Sequence, residues 1–190
     1  MQAESIDEFK ERMRQAVATY EKAKEFYGKS SESSKTPRVL RCDAMIACLG
    51  YWLASEAAEK KRLIDECWRL TKEALNGFRE ARDAWEYGKT YNQLSMGSTF
   101  SFVLEWDFKA REKTAKESVE YGEQAIKFLS SCEDPSELAR ACVNTASFLE
   151  LFGYYFQDLD ERDKFFQKAR DYWQKANELS EEAALLELFS

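Results

Sequence analysis

Four alanines, Ala23, Ala74, Ala125 and Ala176, stand 51 residues apart, and seven residues before each comes another small residue: Ala16, Cys67, Ser118 and Ala169. A fixed period carrying small side chains in fixed places marks one supersecondary unit stacked on copies of itself. Three positions before the first small column stand Met13, Ile64, Ala115 and Phe166. Each copy therefore has a stripe at i, i+3, i+7 and i+10, on a single helical face that must be covered. The small residues have a steric role: helices whose axes approach to about 8 Å have no room for large side chains where they cross.

With seven glycines and two prolines in 190 residues, the chain lacks the turn residues that a sheet protein needs, while 44% of it is apolar. Its long stretches of Ala, Glu, Lys, Leu and Arg favour helix. The pattern predicts an all-α chain of seven helices, at about 5–27, 37–57, 59–79, 84–106, 109–130, 135–156 and from 160 onward. Ser5 caps the first. Thr36 and Asp134 cap the second and sixth, with Pro37 and Pro135 at their first positions. Gly88 and Gly97 predict a bent or frayed fourth helix. Short connections make neighbours antiparallel hairpins. The expected architecture is one domain, 1–190, of hairpins stacked as a right-handed α-solenoid. Its repeat units are roughly 36–82, 83–133 and 134–182, with 5–28 as an extra N-terminal helix.

A second repeat runs along the even helices: Gly50-Tyr51-Trp52-Leu53, Ser101-Phe102-Val103-Leu104 and Gly153-Tyr154-Tyr155-Phe156. Adjacent aromatics cannot all face inward, so one of each pair is available to line a groove as an anchor.

The net charge of −7, with Lys60-Lys61-Arg62 as the only basic triplet, argues against nucleic acid or an anionic membrane as the partner. No apolar run approaches the roughly 20 residues of a membrane span. The opening MQAESIDEFKERM lacks the apolar core of a secretory signal, so none is expected. Five cysteines without a C-x-x-C pair fit a reducing cytoplasm.

Catalysis is not expected. The chain has no histidine, the commonest general base near neutral pH, and no glycine-rich phosphate loop. Cys132 is flanked by Glu133 and Asp134, which raise rather than lower a thiol pKa. The carboxylate runs Glu181-Glu182 and Asp158-Asp160-Glu161 lack the alternation of a calcium loop. Neither a metal nor a cofactor is expected.

The small pairs resemble the second helix of the tetratricopeptide family, where an aromatic precedes the second small residue by three positions and a leucine-like residue follows it by three. The first of these positions holds Tyr20, Thr71, Gly122 and Trp173, and the second holds Phe26, Gly77, Phe128 and Leu179. Tyr20-Glu-Lys-Ala23 and Trp173-Gln-Lys-Ala176 are most similar to that pattern. The period exceeds the family's 34 or so residues by about two turns per helix, which makes this a long-helix variant.

The resemblance implies that the even helices line a concave groove, where Lys, Arg and Asn clamp a partner's acidic terminus. Arg38, Lys89 and Arg140 recur every 51 residues near the starts of these helices, with Arg41, Asn92 and Asn144 one turn on. These six are the candidate ligand-binding residues, and a protein or peptide is the expected partner, its carboxylates being what such a stripe would grip. Arg38 stands in a helix's first turn, where the dipole disfavours a cation. Two alternatives remain. One is a structural or regulatory module that forms a homo-oligomer through its C-terminal helix, where residues 183–189 are strongly apolar. The other is a small-molecule sensor with an apolar pocket between helices.

Overall fold

A computed structural model describes residues 5–156 and 158–189, without the side chains of residues 183 and 185–189. Among the described residues there are seven helices and no strands. They are α1 (Ile6–Gly28), α2 (Lys35–Leu53), α3 (Ala57–Ala81), α4 (Ala84–Leu104), α5 (Phe108–Leu129), α6 (Pro135–Gly153) and α7 (Leu159–Phe189). The chain divides into two compact units, Met1–Asp83 and Ala84–Ser190. In the first, α2 packs against both α1 and α3. In the second, α4 pairs with α5 and α6 with α7, while α5 and α4 both reach α6.

The helix starts follow local chemistry. The Ser5 hydroxyl accepts the Glu8 amide at 3.1 Å, and Asp134 Oδ1 accepts that of Glu137 at 3.0 Å with Pro135 next in sequence. The expected cap at Thr36 is corrected: α2 begins at Lys35, behind Ser34. Pro37 is thus the third residue of α2, within its first turn, and it costs no hydrogen bond because a helix's first four amides have no internal acceptor. Asp107 caps α5 through the Ala110 amide at 2.7 Å, a signal that the expected start at 109 missed.

α4 runs without interruption through Gly88 and Gly97. A methyl group at Gly88 would lie 2.7 Å from Leu129 Cγ, so this glycine permits a close approach of α4 to α5. The third aromatic repeat is also corrected. Because α6 ends at Gly153, Tyr154, Tyr155 and Phe156 lie in the connection to α7 rather than on a helix.

The small columns lie inside. Cys67, Ala74, Ser118, Ala125, Ala169 and Ala176 are all buried. In the second unit Ala125 of α5, Ala141 of α6 and Ala176 of α7 share one apolar cluster, while Ala115 and Ala169 share another with Phe102, Leu149 and Phe152. Ser118 is fastened rather than merely small. Its hydroxyl donates to the Ser95 carbonyl at 2.8 Å, and Ser95 Oγ donates back to the Ser118 carbonyl at 2.7 Å. Ala16 and Ala23 on α1 are only half-buried, and no residue of that helix is fully buried.

Candidate functional site

The six polar candidates fall into two groups. In the first unit, Arg38 Nη1 lies 2.9 Å from Glu32 and its Nη2 3.6 Å from Asp83, with the guanidinium over the Tyr27 ring. These carboxylates answer the unfavourable dipole at the start of α2. Arg41 stacks over Phe78 near the end of α3.

In the second unit, Lys89 Nζ stands 3.5 Å from the Trp85 ring centroid and 4.0 Å from buried Glu86. The Trp85 indole in turn donates to Asp134 at 3.0 Å, which links the starts of α4 and α6. Arg140 is exposed and paired with Glu137 one turn away. Asn144 Nδ2 donates to Asn92 Oδ1 at 3.1 Å, so the candidate asparagines of α4 and α6 do meet. The structure therefore joins the asparagines, and each of Arg38, Lys89 and Arg140 has a carboxylate of its own unit beside it.

An open groove of about 760 Å³ runs along the first unit. Its floor is a stripe of α2 (Asp43, Ile46, Ala47, Gly50, Leu53), and Leu63, Glu66 and Leu70 of α3 line the facing side. Neither Arg38 nor Arg41 lines it. Its charges are matched internally: Lys24 pairs with Asp43 at 2.6 Å, Arg62 with Glu59 at 2.8 Å, and Arg69 with Glu66 at 2.8 Å. Hydrogen bonds from Arg62 and Arg69 hold the Glu59 and Glu66 carboxyls below the usual range, and the bond to Asp43 raises Lys24.

A more enclosed cavity of about 240 Å³ lies in the second unit, where the α4–α5 and α6–α7 turns come together. Phe102, Phe108, Ala115, Tyr155 and Phe156 make its apolar wall. Phe102 meets Tyr155 edge-on at 4.9 Å. Arg111 is held by two kinds of contact: Nε donates to the Phe102 carbonyl at 3.1 Å, and the guanidinium lies over the Phe102 and Tyr155 rings. It thereby satisfies a carbonyl at the end of α4.

Glu112, Asp158 and Glu161 complete the lining. Lys116 sits 2.7 Å from Glu112 and 3.9 Å from Glu161, and the Glu112 bond raises its pKa. Asp158 Oδ1 accepts the Asp160 and Glu161 amides at 2.9 and 3.0 Å, which fixes the start of α7.

The second unit exposes its large apolar side chains at and next to the segments that line this cavity, Phe108 and Tyr155 being lining residues themselves. Trp106 is 95% and Tyr154 79% exposed, and Val103, Phe108, Tyr155 and Leu159 are exposed beside them. No other large apolar side chain of that unit is exposed among the described residues. The aromatic repeat pointed to part of this cluster through Tyr154 and Tyr155. Trp106 and Phe108 had no periodic signal, because they sit in and just after one connection, whereas Arg111 recurs at the 51-residue spacing with Lys60 and Arg162.

Among the described residues, no group of three or more His, Cys, Asp or Glu side chains is arranged to hold a metal ion, and no helix is long and apolar enough to cross a membrane. No protein-family model matches the chain, and no curated protein is similar to it. A solved structure, the DHF58 filament, resembles it at a TM-score of 0.47 and 16% identity, over 94% of this chain and 88% of that one.

Proposed function

We propose that this chain is a non-catalytic protein-interaction module, built as a tetratricopeptide-like stack of long hairpins, that holds a peptide or helix of a partner protein. The observation that carries the reading is the apolar end of the second unit. Of six exposed large side chains, Phe108 and Tyr155 line a cavity at the meeting of two turns, and Val103, Trp106, Tyr154 and Leu159 stand within two residues of lining residues in sequence. Clustered exposed aromatics around a pocket are the usual makeup of an interface hot spot. The recurring buried small columns support the stacked-hairpin part of the reading, and free cysteines support a cytoplasmic setting.

The open groove along α2 is the second place to consider, because the resemblance assigns the groove to the even helices. Its charges are already matched within the unit, and its apolar floor is half-buried or buried, which leaves less to gain on binding. Selection from a random peptide library on the whole protein tests the proposal. Enriched sequences should lose binding to a Trp106→Ser/Tyr154→Ser variant. Equal enrichment on wild type and variant contradicts the assignment to this end.

A further inference from the structure

The turn-end cavity has a chemical bias that narrows the partner. Its volume of about 240 Å³ exceeds the roughly 150 Å³ of an apolar cavity that takes up benzene, so it has room for one ring-sized or branched side chain. The wall facing such a group is Phe102, Phe108, Tyr155 and Phe156.

The lip is acidic. Of the charged residues that line the cavity, Glu112, Asp158 and Glu161 are acidic and Arg111 is basic, with Lys116 beside Glu112 and Glu161; Glu105, Asp107 and Asp160 stand close by in sequence, with Lys109 and Arg162. Several of these carboxylates are fixed in place by backbone amides. Glu105 Oε1 accepts the Trp106 and Asp107 amides at 2.8 and 2.9 Å, Asp107 caps α5, and Asp158 binds the first turn of α7. A negative potential on a preorganised lip costs no reordering when a cation arrives. Arg111, the cation inside the cavity, is committed to the Phe102 carbonyl and to two ring faces.

We infer that the end of the second unit is a docking site for a basic, apolar segment of a partner protein. The segment inserts one large apolar side chain between Phe108, Tyr155 and Phe156 and sets a neighbouring Lys or Arg against Asp158 and Glu161. This rests on the proposed interaction function and reverses the charge expected of the partner from the polar stripe. Apolar insertion supplies the affinity, and the lip supplies the choice of sign and a faster encounter.

Three fluorescein-labelled peptides with the same Leu and Phe positions test it on the whole protein, the remaining positions being Lys, Gln or Glu. The Lys peptide should bind at least about tenfold tighter than the Gln peptide and lose that margin in high salt. Asp158→Asn with Glu161→Gln, which keeps a capping side chain at 158, should remove most of the margin. Phe108→Ala or Tyr155→Ala should weaken the Lys and Gln peptides alike. Equal binding of all three peptides, still lost in Phe108→Ala, overturns the basic partner while leaving the interaction function standing. Binding untouched by Phe108→Ala and Tyr155→Ala overturns both. A concentration-dependent dimer in sedimentation that Trp106→Ser dissolves assigns the surface to a second copy and overturns the inference.

Discussion

Asn144 of α6 donates its side-chain amide to the Asn92 side-chain carbonyl of α4 at 3.1 Å, joining positions 52 residues apart that each lie about one turn past a candidate cation, Arg140 and Lys89. Asn92 is buried, so removing either partner leaves a polar group poorly satisfied. Asn92→Ala should cost about 1–2 kcal/mol, with a coupling energy to Asn144→Ala of about 0.5–1.5 kcal/mol. A double-mutant cycle in urea checks this. Additive single effects would mean that the pair does not interact in solution.

Ala125 is fully buried at the meeting of α5 with α6 and α7, whereas Ala23 on α1 is half-buried. Ala125→Phe should overpack its site and destabilise by about 1–3 kcal/mol, and Ala23→Phe should cost clearly less. Thermal unfolding midpoints of the two variants decide it. Equal midpoints would contradict the packing role assigned to the small column.

Arg82 ends α3 in the left-handed region at φ 55°, with its amide bonded to the Arg79 carbonyl and that of Asp83 to the Phe78 carbonyl. Such a helix ending favours glycine because a Cβ there crowds the backbone. Arg82→Gly should therefore stabilise the protein by about 0.5–1 kcal/mol, read as a higher urea midpoint. A lower midpoint would contradict the strain assigned to this position.

Burial pushes the Tyr172 hydroxyl up to about 12, from an ordinary value near 10, with help from Glu123. Between these values the unfolded chain has released this proton and the folded chain has kept it. Tyr172 therefore adds nothing to the pH dependence below pH 10, and it lowers stability as pH rises from 10 to about 12. The urea midpoint of Tyr172→Phe should fall less steeply across that window than that of wild type. Parallel slopes would contradict the shift.

The all-α class was legible because two signals agreed: periodic small residues, and a near absence of turn residues outside a few connections. Ala74, Ala125 and Ala176 are buried as the stripe required. Boundaries were less legible where a helix end depends on backbone bonding rather than composition. Pro37 can stand at the third position of α2 as well as at its first, and α6 stops at Gly153 although aromatic residues continue the pattern.

The polar stripe was visible as spacing, yet spacing does not report ion pairing. The carboxylates beside the candidate cations share the period, Glu32 and Asp83 standing 51 residues apart and Glu86 and Glu137 likewise, and the pairing itself shows only in the fold. The apolar end was legible in part: Phe102, Tyr155 and Phe156 belong to the aromatic repeat and Ala115 to the small-residue stripe, whereas Trp106, Phe108 and Asp158 sit in or beside connections, which carry no helical period.

The claim on which the functional account depends is that a partner sits on the end of the second unit formed by the α4–α5 and α6–α7 turns. Amide hydrogen exchange of the whole protein, with and without a library-selected peptide, reads this most directly. Slowed exchange over 103–112 and 154–161, with α2 unchanged, is the predicted result. Slowed exchange along 43–54 and 59–70 instead would place the partner in the groove of the first unit and contradict the account.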